Sequence, residues 1–499
     1  MNSEEKKILL IEPPFYRLFK DNYSLDRFPL SLGYIAGTIQ EKTNWEAIVY
    51  NSDFNKQSES LSVRYITEIG FDNYLTNLND MTSNIWKEIK NTIAHYNPSV
   101  IGISSKSQNF ASACIVAKIA KELNNDIIVI TGGPHPSLIG TEVLKCQQID
   151  IGVKGEGEST IVELLDAIEN QKNLKSINGI IFRNKKQIIE NPPREYIKDL
   201  DSLPFPNAIA PKVLKDYEQF PLSAFKYIFA TRGCPYNCFF CGSYKIWSRN
   251  VRYRSIDNII KEIHSLQDLG LRIIHFDDDT FGVTKKRIKE LCNAIKIKCS
   301  GLTWSCELHV NLIDDEIISS MKASGCYSIQ IGIESGNNKI LKEIKKNITI
   351  EKALQASNII NKHGIKLQAF IMVGFPNDTE DTINDTLNVM KKIKCHTLIF
   401  SIFTPYPGTD AFDVCLNNNL IEKNFNISLY NHLSPENCFC MNITKKRFRE
   451  IVKKIEKIVD KKNKINRIKR IFSLTTFQRF REIGIINSIK LGTRIISGK

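Results

Sequence analysis

The 499-residue chain has no stretch of about 18 uninterrupted apolar residues, so no membrane-crossing helix is written in it. Its first apolar run, Ile8-Leu9-Leu10-Ile11, stops at Glu12-Pro13-Pro14, too short for the apolar segment of a secretion signal. Tandem repeats of solenoid period are absent as well. Apolar content is not low: 42% hydrophobic against 24% charged is ordinary globular composition, which excludes a disordered or collagen-like chain. At about 150 residues per domain, the length suggests roughly three domains, each able to bury a core. The sequence therefore predicts a soluble, cytoplasmic protein.

Charge of one sign is scarce everywhere but at one end. Residues 443–499 carry 18 Lys and Arg against 4 Asp and Glu, which accounts for the whole net charge of +14 and leaves the body neutral. Overall basicity is thus no argument for a nucleic-acid partner. The 13 cysteines are odd in number in a chain read as cytoplasmic, which favours metal ligation over a disulfide framework.

Residues 1–170 alternate short apolar runs of strand length (7–11, 47–50, 100–104, 127–131) with helical patterning such as Ala113, Val116, Ala117 and Ala120. Near-continuously apolar strands separated by helices predict a doubly wound parallel sheet of Rossmann-like or flavodoxin-like type. Residues 171–225 hold Asn191-Pro192-Pro193, Leu203-Pro204-Phe205-Pro206 and Pro211, and read as a proline-rich connector with room for a short ribbon near 179–182. From Tyr227 the alternation restarts with strands at 227–231, 272–277, 303–307, 328–334, 366–373 and 397–403. Six βα units in residues 226–412 fit a barrel or partial barrel whose chemistry lies at the strand C-termini. Residues 413–499 are a C-terminal segment ending in a basic tail. In it Phe448, Ile451, Val452, Ile455, Ile458 and Val459 recur at helical spacing, followed by a less regular stretch. A helix packed on the body is the plain reading of that tail; contact with RNA or an anionic membrane is its rival.

Directly after the first barrel strand comes Arg232-Gly233-Cys234-Pro235-Tyr236-Asn237-Cys238-Phe239-Phe240-Cys241. Three thiolates spaced C-x3-C-x2-C on one short loop suit three corners of a [4Fe–4S] cluster and leave one iron open. Structural zinc needs a second knuckle, and no cysteine follows Cys241 before Cys292. A redox C-x2-C pair would have no use for Cys234.

The motif in this position resembles the radical S-adenosylmethionine (SAM) superfamily, over Tyr227 to about Asp410. The resemblance implies that Cys234, Cys238 and Cys241 hold the cluster. Its open iron then chelates SAM, and one electron cleaves SAM to a 5′-deoxyadenosyl radical. It further implies SAM contacts at Phe240, at Asp278 in the triplet Asp277-Asp278-Asp279, at Gly332 and Glu334, and at Gly374 and Pro376. Tyr406-Pro407-Gly408-Thr409 completes a pattern found in one branch of the superfamily. An external one-electron donor of flavodoxin or ferredoxin type is also implied.

That branch carries an N-terminal cobalamin-binding domain, which residues 1–170 resemble through Pro13-Pro14, the turn Pro29-Leu30-Ser31-Leu32-Gly33, and Gly132-Gly133-Pro134-His135-Pro136. The resemblance places Ser104, Ser105, Gly132, Gly133, Pro134, His135, Gly155 and Glu156 against cobalamin, at the strand carboxyl ends where such sheets bind ligands, with His135 read as structural or as a corrin-edge contact rather than as an axial ligand. The signature D-x-H-x-x-G, which supplies a lower axial histidine to cobalt, is missing: none of the eight histidines follows an Asp at that spacing.

The resulting expectation is a cobalamin-dependent radical SAM methyltransferase acting on an unactivated carbon. Oxidation, cyclisation or rearrangement with the same cofactors is the first alternative. An RNA-modifying methylthiotransferase is disfavoured, because its second cluster needs three cysteines where the first 200 residues have Cys114 and Cys146. A non-catalytic cluster sensor would not need the SAM-contacting strand ends. The substrate, whether small molecule, peptide or lipid, is not written in any motif. Its pocket is expected between the two domains and the segment after Asp410.

Overall fold

The computed structural model describes residues 6–58, 65, 69–422 and 424–471. Two sheets organise them. The first contains β1 (Lys7–Glu12), β2 (Glu46–Asn51), β3 (Val100–Ser104), β4 (Ile128–Gly132), β5 (Ile151–Val153), β6 (Ile180–Asn184) and β7 (Gln187–Glu190), in the order β2-β1-β3-β4-β5-β6-β7. Strands β1 to β5 are parallel. Strand β1 is apolar from Ile8 to Ile11 because both of its faces are covered there. Ile8 and Leu10 join one core with Leu32, Ala36 and Ile39, while Leu9 and Ile11 join another with Trp86, Ile89 and Val116. Since β1 lies between β2 and β3, the order reverses there, and a crevice opens beyond Glu12 and Ser104.

The sheet does not stop at residue 170. Strands β6 and β7 form an antiparallel hairpin against β5, so the chain is committed to this sheet as far as Glu190. The hairpin is short, and its outer strand is mostly exposed, which leaves little apolar pattern to read. The prolines do their expected work afterwards: Pro206 opens the helix Pro206–Val213, which packs on the helix Leu30–Lys42 at Gly33 and Gly37.

The remaining strands are β8 (Tyr227–Ile228), β9 (Thr231–Arg232), β10 (Arg252–Tyr253), β11 (Ile273–Phe276), β12 (Thr303–Glu307), β13 (Cys326–Glu334), β14 (Lys366–Val373) and β15 (Thr397–Ile402). Six of them form a parallel sheet, β15-β14-β13-β12-β11-β8, with β15 and β8 at its edges: a partial barrel. The strand expected at 227–231 is split. Asp278 Oδ1 accepts from the N–H groups of Ala230 (3.0 Å) and Thr231 (2.5 Å), drawing the chain off β11, and Thr231–Arg232 pairs with β10 instead.

The basic tail forms the helix Lys445–Ile471, and its apolar stripe is packed on the body: Phe448, Ile451, Val452, Ile455 and Val459 are buried. The less regular stretch expected beyond it lies outside the described residues. This helix covers the free edge of β15 in an unusual way. Asn463 Oδ1 accepts from Leu398 N–H (2.9 Å) and Asn463 Nδ2 donates to Leu398 C=O (2.8 Å), as a neighbouring strand's peptide would. Asn463→Ala leaves both backbone groups short of a partner and is expected to cost about 1–3 kcal/mol, read as a lower denaturation midpoint. An unchanged midpoint would count against the helix as the edge's cover.

Candidate functional site

The cysteine loop begins at Gly233, whose φ of +109° and approach to Asn250 and Ser248 exclude a side chain: a Cβ would lie 3.0 and 3.1 Å from their carbonyl oxygens. Cys234, Cys238 and Cys241 are half-buried and none is in a disulfide. Burial pushes all three thiols up to about 11, so without a metal they stand protonated, and cluster assembly must release those protons. The loop is anchored through its backbone, with Phe239 N–H donating to Ile344 C=O (3.0 Å) and Ala411 N–H donating to Phe239 C=O (3.2 Å). On its flank the Tyr236 ring stacks on His309 at 3.6 Å. Three sulfurs on one pinned loop, with no fourth cysteine on it, fit a cluster with an open iron.

The other strand ends expected to meet SAM gather around this loop, with one exception. Phe240 contacts Phe375 with ring centroids 6.1 Å apart. Glu334, at a φ of +67°, accepts from Lys346 Nζ at 2.8 Å. A Cβ on Gly332 would sit 2.1 Å from that same carboxylate oxygen, so glycine is required for the pair to form. Burial works against the Lys346 cation, but Glu334 outweighs it and raises its pKa. Gly374 N–H and Phe375 N–H donate to Asp378 Oδ2 at 2.9 and 3.0 Å, and Pro376 C=O accepts from Met441 N–H at 2.8 Å. Gly374 is also closed over by Phe448, whose ring a Cβ would meet at 2.7 Å, so the C-terminal helix seals this strand end.

The exception is Asp278. Its Oδ1 is occupied by Ala230 and Thr231, and it is fully buried, with Oδ2 left without a hydrogen-bond partner; burial pushes its pKa up to about 7. It pins the strand ahead of the cysteine loop rather than facing a ligand. Its neighbours face outward instead: Asp277 pairs with Arg27, and Asp279 accepts from Ser243 Oγ. His275, Asp277 and Glu307 converge closely enough to hold a metal ion, yet His275 is already bonded to Ser305 Oγ (2.7 Å) and to Glu307 (3.1 Å).

Beyond the strand ends of the first sheet lies a cavity of about 540 Å³. Its rim is formed by Glu12, Ser104, Lys106, Gly132, Gly133, Pro134, Gly155 and Glu156. Its depth runs between the sheet and two helices, along Leu10, Gly102, Ile130 and Val153 on one side and Leu32, Ile35 and Ile161 on the other. From the barrel side Phe229, Arg232, Ile246, Trp247 and Asp277 close it. Two expected cobalamin contacts, Ser105 and His135, lie behind this wall. Ser105 N–H donates to Gly132 C=O (2.7 Å), and Ser105 C=O accepts from His135 N–H (2.9 Å). The His135 ring packs on Phe110 and its Nδ1 lies 2.9 Å from Ser107 Oγ; burial lowers its pKa to about 3, so the imidazole is neutral. The reason is Gly133, at a φ of +105°, which folds the turn so tightly on Ser105 that a Cβ would come within 3.0 Å of its carbonyl.

Sequence reasoning missed Arg27, Tyr16 and Asp53, which also line the cavity. Arg27 comes from an irregular loop, stacks on Tyr227 at 4.0 Å and reaches Asp277 across the domain boundary. Nothing local marks it. Asp53, whose pKa burial raises to about 6, accepts from Phe15 and Arg17 N–H (both 2.9 Å), and so holds Phe15 and Tyr16 at the rim. The segment after Asp410 also reaches this region, where His432 stacks on Phe15 (5.7 Å) and meets the Tyr406 hydroxyl at 3.4 Å.

A cavity of this size, with glycines at the strand ends and an apolar depth, leaves room for a large ligand to lie against the backbone. Residues 228–390 match the family model for the radical SAM superfamily, and residues 17–165 match that for the B12 binding domain. An uncharacterised methyltransferase of Pyrococcus horikoshii is 30% identical over 424 residues, which span 83% of this chain and 84% of the relative. The anaerobic magnesium-protoporphyrin IX monomethyl ester cyclase of Rubrivivax gelatinosus is 26% identical over 381 residues, 74% of this chain and 66% of the cyclase. In fold, the chain is similar to the radical SAM methyltransferase TsrM of Kitasatospora setae, solved with cobalamin and a [4Fe–4S] cluster. The TM-score is 0.64 at 16% identity, over 83% of this chain and 75% of that one. The chain belongs to the radical SAM superfamily, and the B12-binding domain ahead of its barrel makes it a cobalamin-dependent radical SAM enzyme.

Proposed function

We propose that the protein transfers a methyl group to an unactivated carbon of its substrate. The observation that carries this reading is a cavity walled on one side by the cobalamin-type strand ends and on the other by Arg232, Trp247 and Asp277 of the barrel. With the corrinoid in that cavity, a substrate on its barrel side would lie between the two halves of the chemistry. When bound, the cluster and SAM supply hydrogen-atom abstraction, and cobalamin supplies methyl carriage.

The chain's own part is binding, orientation and exclusion of water. Cys234, Cys238 and Cys241 hold the cluster. Phe240, Gly332, Glu334, Gly374 and Pro376 form the SAM side, with the buried Glu334–Lys346 ion pair fixed beside the loop. Ser104, Gly132, Gly133, Pro134, Gly155 and Glu156 form the corrinoid side. Phe15, Phe229 and Trp247 keep the space between them apolar, which protects a reactive carbon from water. The substrate is read as a small molecule, with peptide or lipid as rivals, and the electron as arriving from an external flavodoxin-type or ferredoxin-type donor. Oxidation or cyclisation is the second reading, favoured by the likeness to the cyclase.

Anaerobic reconstitution with hydroxocobalamin tests the assignment. About four irons and about one cobalt per chain are expected, and once a low-potential reductant is added to supply the two electrons that Co(III) needs before it can accept a methyl cation, SAM carrying a deuterated methyl group should pass its label to the corrinoid. A corrinoid that never takes the label would overturn methyl transfer and leave oxidation or cyclisation; iron without cobalt would overturn methyl transfer and leave a radical SAM enzyme whose first domain has lost its ligand.

A further inference from the structure

Strands β9 and β10 place Arg232 directly opposite Arg252. Like charges at paired positions of an antiparallel ribbon repel, and this ribbon is where the cysteine loop begins. The first domain supplies the neutralising pair. Glu156 accepts from Arg232 Nη1 at 2.7 Å and from Arg252 Nη1 at 3.0 and 2.8 Å, while Glu158 accepts from Arg232 Nη2 at 2.5 Å. Two cations thus meet two anions. Arg232, Glu156 and Glu158 are each at most 6% exposed. The Arg232 guanidinium is also held between the rings of Tyr34 (5.2 Å) and Trp247 (4.9 Å), one from each domain.

Buried charges of this kind persist only as a closed set, because removing one leaves its partner unpaired in a poor solvent for charge. The location gives the set its meaning. Glu156 and Glu158 flank Gly157 on the cavity-lining turn, and Arg232 is separated from Cys234 by a single glycine.

We propose that Arg232 is a positioning residue that couples the seating of the corrinoid to the conformation of the cluster loop; this rests on the reading that the corrinoid occupies the cavity. A ligand pressed against Gly155–Gly157 restrains both glutamates. Restrained glutamates fix the guanidinium, and with it the backbone that leads into Gly233 and Cys234. Ordering the hub once serves both ligands, so each tightens the other, and the coupling is reciprocal.

The test uses the full-length chain, anaerobically reconstituted, with SAM affinity measured by equilibrium dialysis with and without hydroxocobalamin. Spectra of the reduced cluster by electron paramagnetic resonance accompany it. In the wild type, hydroxocobalamin is expected to tighten SAM by about tenfold and to alter the cluster spectrum. In Arg232→Gln the factor falls toward one, whatever the single affinities become. Where that variant fails to retain iron, Glu158→Gln replaces it: Arg232 keeps Glu156, iron stays in place, and the coupling factor drops part of the way. A wild type with no coupling, or a variant that keeps the full factor while its thermal midpoint falls, would reduce Arg232 to a structural role and overturn the proposal. A wild type that binds no cobalamin at all overturns the reading of the cavity itself, which is a different failure.

Discussion

Alanine in place of Cys238 abolishes cluster assembly and SAM cleavage together: iron falls from about four per chain to a residual trace, and 5′-deoxyadenosine formation falls to background. The expectation follows from how few substitutes the chain offers. A cluster held at three corners has no spare protein ligand. Cys292, Cys299, Cys306, Cys326, Cys395 and Cys415 are buried in the core, and Cys438 and Cys440 belong to the segment beyond the barrel. None sits on the cysteine loop. Because Cys238 is a half-buried loop residue, its loss removes little packing, and the metal-free forms of wild type and variant should unfold at similar midpoints. Cleavage retained by Cys238→Ala would sink the assignment of the loop. A large loss of apo-protein stability would show instead that the thiol's role is structural.

How much of this was legible depended on distance along the chain. Strand positions and the cysteine spacing are local patterns, so the two-sheet architecture and the cluster loop could be read from periodicity and three residues. The direction in which each member of Asp277-Asp278-Asp279 points could not. It is set by where the chain departs from β8, and that departure is caused by Asp278 itself taking the Ala230 and Thr231 N–H groups. The same applies to Ser105 and His135, whose motif looked like a ligand-facing turn until Gly133 folded it inward. The sequence places Glu156 against the cofactor, and it does line the cavity. Its carboxylate, however, is committed to Arg232 and Arg252, partners 76 and 96 residues away that no window of sequence connects. Long-range charge pairing is where the reading ended, and it is also where the two domains are joined.

Leucine at Gly132 should separate the two cofactors, because this glycine is tolerant of a side chain in the backbone and intolerant of one in the cavity. It stands at the end of β4 without a positive φ, and a Cβ there meets only Val153 Cβ, at an ordinary 3.7 Å. The remaining carbons have one place to go, the cavity it lines. Its neighbours would not give a clean result. A Cβ on Gly102 drives into Leu10 at 2.7 Å, and Gly133 needs its left-handed backbone, so substitution at either disturbs the fold before it tests the site. Gly132→Leu is therefore expected to weaken hydroxocobalamin by ~100-fold, about 2.7 kcal/mol, as read from visible-absorption titration. The cysteine loop lies on the other sheet, so iron content should stay at the wild-type level, and reductive cleavage at saturating SAM should match that of wild type measured without cobalamin. Methyl label would no longer reach a corrinoid. Unchanged cobalamin affinity would move the corrinoid out of this cavity and remove the observation on which methyl transfer rests. Loss of iron along with cobalamin would mean that the two seats cannot be separated, and would point back to the buried charges that bind them to one another.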